Sequence, residues 1–253
     1  MLRAMIASLA MAATPMALVQ KAEVLVSAAT SLTDVMRQIA QAYEARTGTR
    51  LTVNTGASNT LARQIAAGAA VDLFISADEA QMKVIDDSVV AGSRVDLLSN
   101  ELAVAVASDR PRTIASARDL TAPAFRRIAI GDPSAVPAGV YARSYLEKIG
   151  VWPAVAQKVV PSASVRLALA AVENGAADAA IVYRTDVAAA RRAAVALVIP
   201  RADGPRIVYP AALIRTGRNR ADATRLLVWL QSAEATAIFR AAGFIPLSAP
   251  PGR

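Results

Sequence analysis

The sequence predicts an α/β fold in two lobes, with mainly parallel sheets flanked by helices. Three observations predict it. Short apolar segments alternate with longer amphipathic ones along most of the 253 residues. Several short segments are continuous apolar runs, as in strands buried on both faces. The stretch between Ala107 and Ile207 holds a complete set of strands and helices of its own.

The elements follow in chain order. Val24-Leu25-Val26-Ser27-Ala28 marks a strand over 23–28. Ser31-Leu32-Thr33-Asp34 fits a capping box for a helix over 31–46, and Gly48 supplies its stop. Leu51-Thr52-Val53-Asn54-Thr55 gives a strand over 50–55, followed by a helix over 60–67. A strand over 71–76 and a helix over 77–86 come next. The strand over 102–107 is apolar throughout and is the first candidate crossing between lobes. Strands over 127–131, 178–182 and 195–199 and helices over 138–149 and 165–173 fill the second lobe. Pro137 suits the opening of its helix, where the missing N–H costs nothing. The strand over 207–214 is the return crossing, and a single helix over 221–241 closes the fold, capped by Asn219-Arg220-Ala221-Asp222 and stopped by Gly243. Lobe I is therefore expected at 22–102 and 208–253, and lobe II at 103–207. In such folds ligands bind beyond the carboxyl ends of the strands, in the crevice.

Residues 1–20 read as a secretory signal: Arg3 and the amino terminus are followed by an apolar run over 4–19, ended by Lys21 and Glu23. No later stretch is long and apolar enough to span a bilayer, so an exported, periplasmic protein is expected. The chain has no cysteine and no histidine, which excludes Cys/His zinc sites, Ser-His-Asp triads, Cys-His dyads and disulfides. Its formal charge is +8, but the basic residues are dispersed and aromatics are 4% of the chain, so nucleic acid is not an expected partner. The charge reads as a solvated surface whose field favours anions.

The chemistry lies where strands run into helices. Val24–Ala28 leads into Thr30-Ser31-Leu32-Thr33, and Leu51–Thr55 leads into Gly56-Ala57-Ser58-Asn59-Thr60. Helix starts carry unpaired N–H groups and partial positive charge, so two of them on neighbouring strands suit one small anion. Three segments in the second half are similar. Gly131-Asp132-Pro133 precedes Val136-Pro137-Ala138-Gly139-Val140-Tyr141, Ser162-Ala163-Ser164 precedes Val165-Arg166, and Ala180-Ile181-Val182 ends at Tyr183. Singly, each is an ordinary cap or packing residue; the set carries the signal.

With Asp72-Leu73-Phe74-Ile75-Ser76-Ala77-Asp78 and the late Ile238-Phe239 and Gly243-Phe244, these stretches resemble the periplasmic molybdate-binding proteins of ABC transporters, in order over nearly all the chain after the leader. The resemblance implies a type II periplasmic binding protein fold that closes on a tetrahedral oxyanion. It implies ligand contacts from Ser31 and Ser58 in lobe I and from Ala138, Val165 and Tyr183 in lobe II. The serines would donate through hydroxyl and backbone N–H, Ala138 and Val165 through backbone N–H, and Tyr183 through its phenol. No catalytic residue, bare metal ion or cofactor is implied. The partners implied are molybdate, tungstate and a membrane permease, with the protein a monomer. Asn59-Thr60 and Arg184 depart from the family pattern, and Arg184 is expected to face water.

Neutral donors suit an unprotonated dianion and disfavour monohydrogen phosphate, whose O–H needs an acceptor. Sulfate must be excluded by size. The competing readings are a receptor for another oxyanion such as sulfate, or for a metal ion; the sensing domain of a regulator; and an enzyme using Asp72, Asp78 and Asp132. Those carboxylates read better as caps and turn residues.

Overall fold

The computed structural model describes residues 22–247. The expected leader, 1–20, lies outside the described residues, as does the end of the chain from 248. Two sheets form. The first contains β1 (Glu23–Ala29), β2 (Arg50–Gly56), β3 (Leu73–Ile75), β4 (Val95–Ser99), β10 (Tyr209–Leu213) and β11 (Ile245–Pro246), in the order β11-β4-β10-β3-β1-β2. The second contains β5 (Leu102–Ala107), β6 (Ile128–Gly131), β7 (Val159–Ser162), β8 (Ala179–Tyr183) and β9 (Ala193–Ile199), in the order β7-β6-β8-β5-β9.

Helices flank both sheets. They are α1 (Thr33–Thr47), α2 (Ser58–Ala66), α3 (Glu79–Val84), α4 (Pro137–Lys148), α5 (Trp152–Ala156), α6 (Val165–Glu173), α7 (Arg184–Ala188), α8 (Arg220–Trp229) and α9 (Ala233–Ala241). Among the described residues no helix is long and apolar enough to cross a membrane.

The sheets are mixed. Pairing is parallel between β1 and β2, β1 and β3, β6 and β7, and β6 and β8. It is antiparallel where β10 meets β3 and β4, where β11 meets β4, and where β5 meets β8 and β9. Apart from β11 with β4, the antiparallel pairs involve β5 or β10, the strands by which the chain enters one sheet from the other. Both are buried along their whole length, as is β8, in keeping with their unbroken apolar sequences.

Some local expectations change. No capping box forms at Ser31: residues Thr30–Leu32 make a 3-10 turn, α1 starts at Thr33, and the Ser31 hydroxyl bonds elsewhere. Gly48 ends α1 in the left-handed region, at φ 73°. Asn219 precedes α8 without a side-chain cap; its Nδ2 donates to the Glu23 carbonyl instead. The single closing helix is two, because Ser232 caps a new start, its hydroxyl accepting from Ala235 N–H at 3.3 Å. Three strands escaped the apolar pattern. β4 carries Asp96, β7 is an edge strand containing Pro161, and β11 has two residues.

Candidate functional site

Register places the first half of the site. β1 and β2 run parallel with Ala29 opposite Gly56, so the two strands end side by side. Ser31 and Ser58 each lie two residues beyond that pair. In the second sheet β6 is flanked by β7 and β8, with Gly131 opposite Ser162 and Ile130 opposite Ile181. The chain leaving β6 opens α4 at Pro137, the chain leaving β7 opens α6 at Val165, and β8 ends at Tyr183.

Ser31, Ser58, Ala138, Val165 and Tyr183 all line one cavity, with Ala29, Thr30, Ala57, Ala77, Val136 and Pro137 completing its wall. Its volume is ≈ 10 Å³. That is about what one water-sized sphere requires. The wall carries no charged side chain. Ser58 and Val165 are the first residues of α2 and α6, and Ala138 is the second of α4, so their N–H groups have no partner inside their helices.

The hydroxyl groups differ in their surroundings. Ser58 Oγ accepts from Ala77 N–H at 3.0 Å, which occupies a lone pair and leaves its proton for the cavity. Ser31 Oγ lies 3.1 Å from Tyr209 Oη. Tyr183 is 1% exposed, and its Oη has no hydrogen-bond partner among the described residues. Burial pushes this phenol well above its ordinary pKa, with further upward pressure from Tyr209, so it stays protonated. A buried phenol without a protein acceptor, in a cavity that has no charged side chain and is flanked by three helix starts, suits an anion carrying several acceptor oxygens.

The carboxylates of the enzymatic reading serve the scaffold. Asp72 accepts from Leu25 N–H at 2.7 Å and Asn219 N–H at 2.9 Å. Asp78 caps α3 through Gln81 N–H at 2.8 Å, and burial raises its pKa. Asp132 accepts from Ser134 N–H at 2.9 Å and its hydroxyl at 2.6 Å, and these bonds lower its pKa. Arg184 is exposed, as the sequence reading expects, and is also ion-paired. It is about half exposed but pairs with Glu101 at 2.7 Å, on the wall of a ≈ 250 Å³ cavity that Ser31 also lines.

Sequence reasoning missed three supports. Arg166 pairs with Asp186 at 2.9 Å and Asp34 at 2.8 Å, joining α6 to α7 and α1. Asn100 and Tyr209 stand behind Ser31. Gly139 lets α4 sit against the end of β6. The adjacency of Arg166 to Val165 and of Gly139 to Ala138 was a visible signal; nothing in the sequence marked Asn100 or Tyr209.

The model of the family described as bacterial extracellular solute-binding protein matches residues 24–245. The chain is 36% identical over 244 residues to the molybdate-binding protein ModA of Escherichia coli, covering 94% of this chain and 95% of that protein. The fold is similar to that of the periplasmic molybdate-binding protein of Azotobacter vinelandii, with TM-score 0.77 and 25% identity over 88% of this chain and 98% of that one. The sulfate-binding protein SubI of Mycobacterium tuberculosis superposes with TM-score 0.79 at 18% identity, over 89% of this chain and 87% of that one, a likeness of fold alone. A match along almost the whole described chain, with 36% identity to a molybdate-binding protein over 94% of it, places this chain in the bacterial extracellular solute-binding family, among the molybdate-binding ModA proteins.

Proposed function

We propose that the protein captures molybdate, and tungstate with it, in the periplasm and hands it to an ABC permease. The observation that carries this reading is the unpartnered buried phenol of Tyr183 in a cavity with no charged side chain on its wall. Ser31 and Ser58 hold the oxyanion from one lobe, residues 22–102 and 208–253. Ala138, Val165 and Tyr183 hold it from the other, residues 103–207. Ligand makes all its contacts only when the lobes are closed, so binding shifts the population toward closure, the shape a permease reads. Hydrogen bonds to a charged group contribute about 1.5–3 kcal/mol each, and helix starts add about 0.3–1 kcal/mol each. A counter-cation is not needed. No catalytic step or cofactor enters, and the protein acts as a monomer.

Titration calorimetry of ligand-stripped protein tests this. One-to-one binding of molybdate that excess sulfate leaves intact is the expected result. Equal competition by sulfate would pass the function to another anion.

Single substitutions test the contacts. Ser31→Ala and Ser58→Ala should each weaken molybdate binding by about 1–3 kcal/mol. Ser58→Ala should also lower stability, because it strands the buried Ala77 N–H. Tyr183→Phe should weaken binding by less than the serine changes while leaving the ligand-free protein no less stable, since the lost hydroxyl has no protein partner. Wild-type affinity in all three would remove this site.

A further inference from the structure

Behind Ser31 lies a hydrogen-bonded chain that never reaches the cavity. Asn100 stands between β4 and β5, where the chain leaves the first sheet for the second. It is 2% exposed. Its Oδ1 accepts from Glu101 N–H at 2.9 Å, which decides the orientation of the amide. Its Nδ2 donates to Thr185 Oγ1 at 2.8 Å and faces Tyr209 Oη at a longer 3.4 Å. Tyr209, at the start of β10, is fully buried, and its Oη has Ser31 as its other side-chain partner, at 3.1 Å.

The polarity of the chain follows. Asn100 presents N–H to the phenol and can only donate there. Tyr209 stays protonated because burial, then the charge of Asp186, raises its pKa. With a donor on one side, its proton goes to the remaining partner, Ser31 Oγ. Ser31 receives that proton and has its own left for the cavity.

We propose that Asn100 is a specificity-determining positioning residue, which through Tyr209 holds the Ser31 hydroxyl as a donor and so biases the site against protonated oxyanions. This rests on the oxyanion reading above and deepens it. Rejection of monohydrogen phosphate then comes partly from a residue in the connection between the sheets that touches no ligand. Ser58 is set in the same sense by Ala77 N–H.

The test is Asn100→Asp, with Tyr209→Phe beside it. An aspartate at 100 accepts the Tyr209 proton, Tyr209 then accepts from Ser31, and Ser31 turns a lone pair to the cavity. Molybdate, tungstate and inorganic phosphate are titrated at about pH 8, where phosphate keeps a single proton, with phosphate also run as a competitor of molybdate. In Asn100→Asp, molybdate and tungstate should weaken together by about tenfold, while phosphate weakens less or strengthens. The molybdate-to-phosphate ratio therefore falls. The added charge alone would repel all three anions, so the ratio isolates the turned hydroxyl. Tyr209→Phe frees Ser31 to turn either way and should lower the same ratio by less, which keeps the test open if Asn100→Asp does not fold. Equal loss for all three anions, which leaves the molybdate-to-phosphate ratio as it is in the unaltered protein, would overturn the proposal. Failure of the unaltered protein to bind molybdate would instead remove the functional reading beneath it.

Discussion

Gly139→Ala is expected to cost both stability and binding, more than loss of any single hydroxyl in the cavity. A Cβ at 139 would lie 1.9 Å from the Gly131 carbonyl oxygen, 2.4 Å from its carbon and 2.8 Å from the Asp132 oxygen. These are backbone atoms at the end of β6, so no rotamer change relieves the clash. Gly131 is glycine for a related reason: a Cβ there would meet Val136 Cγ1 at 2.6 Å. The start of α4 must move outward, and Ala138, one residue before Gly139, moves with it. Overpacking of a tight core typically costs about 1–3 kcal/mol, and a backbone clash belongs at the upper end. Urea unfolding should show that loss, and titration should show molybdate binding weakened by more than in Ser31→Ala. Wild-type affinity in a folded Gly139→Ala protein would mean that the seat of α4 on β6 does not aim the Ala138 N–H.

Arg166→Ala is the second large effect, and its size should depend on pH. Asp186 is 0% exposed, and Arg166 is the cation beside it. Removing one partner of a buried pair costs about 3–5 kcal/mol, and the partial exposure of Arg166 favours the lower value. Burial pushes the Asp186 carboxyl up to about 6, against the opposing pull of Arg166 and the Tyr183 backbone. Its folded value therefore lies above the unfolded one of about 3.9. The folded protein holds the extra proton, so this contribution to stability is complete below about pH 4 and is lost as pH rises through about 6. Without Arg166 the folded value rises further and the loss at neutral pH deepens. Melting temperatures across this range should show a gap between wild type and Arg166→Ala that is widest at neutral pH and narrows on acidification. A gap independent of pH would mean that Asp186 is not what Arg166 neutralises. Molybdate binding should weaken as well, because Arg166 follows Val165 and its bond to Asp34 ties α6 to α1.

The α/β architecture was legible because strands buried on both faces must be apolar without interruption, as Leu102–Ala107 and Ala179–Tyr183 are. β4, β7 and β11 were not legible, because edge position and pairing decide them and not composition. The joint between α8 and α9 was hidden for the same kind of reason. A helical pattern runs through Ser232, and the turn there depends on Leu230 and Ser232 closing onto Leu226 and Trp229.

At the site, the sequence by itself marked the helix starts, while the choice of Ser31, Ser58, Ala138, Val165 and Tyr183 among them is what the family resemblance implies. Small or apolar residues at helix starts leave N–H groups free, and this is local chemistry. The tertiary structure alone decided what stands behind them. Ser31 reads as a helix cap, yet its hydroxyl bonds Tyr209, 178 residues away. Asn100, Thr185 and Tyr209 meet because β10 returns to the first sheet beside the point where the chain left it. Hydrogen bonds join groups in space, and a residue two contacts behind the cavity wall leaves no periodicity or spacing in the chain by which to read it.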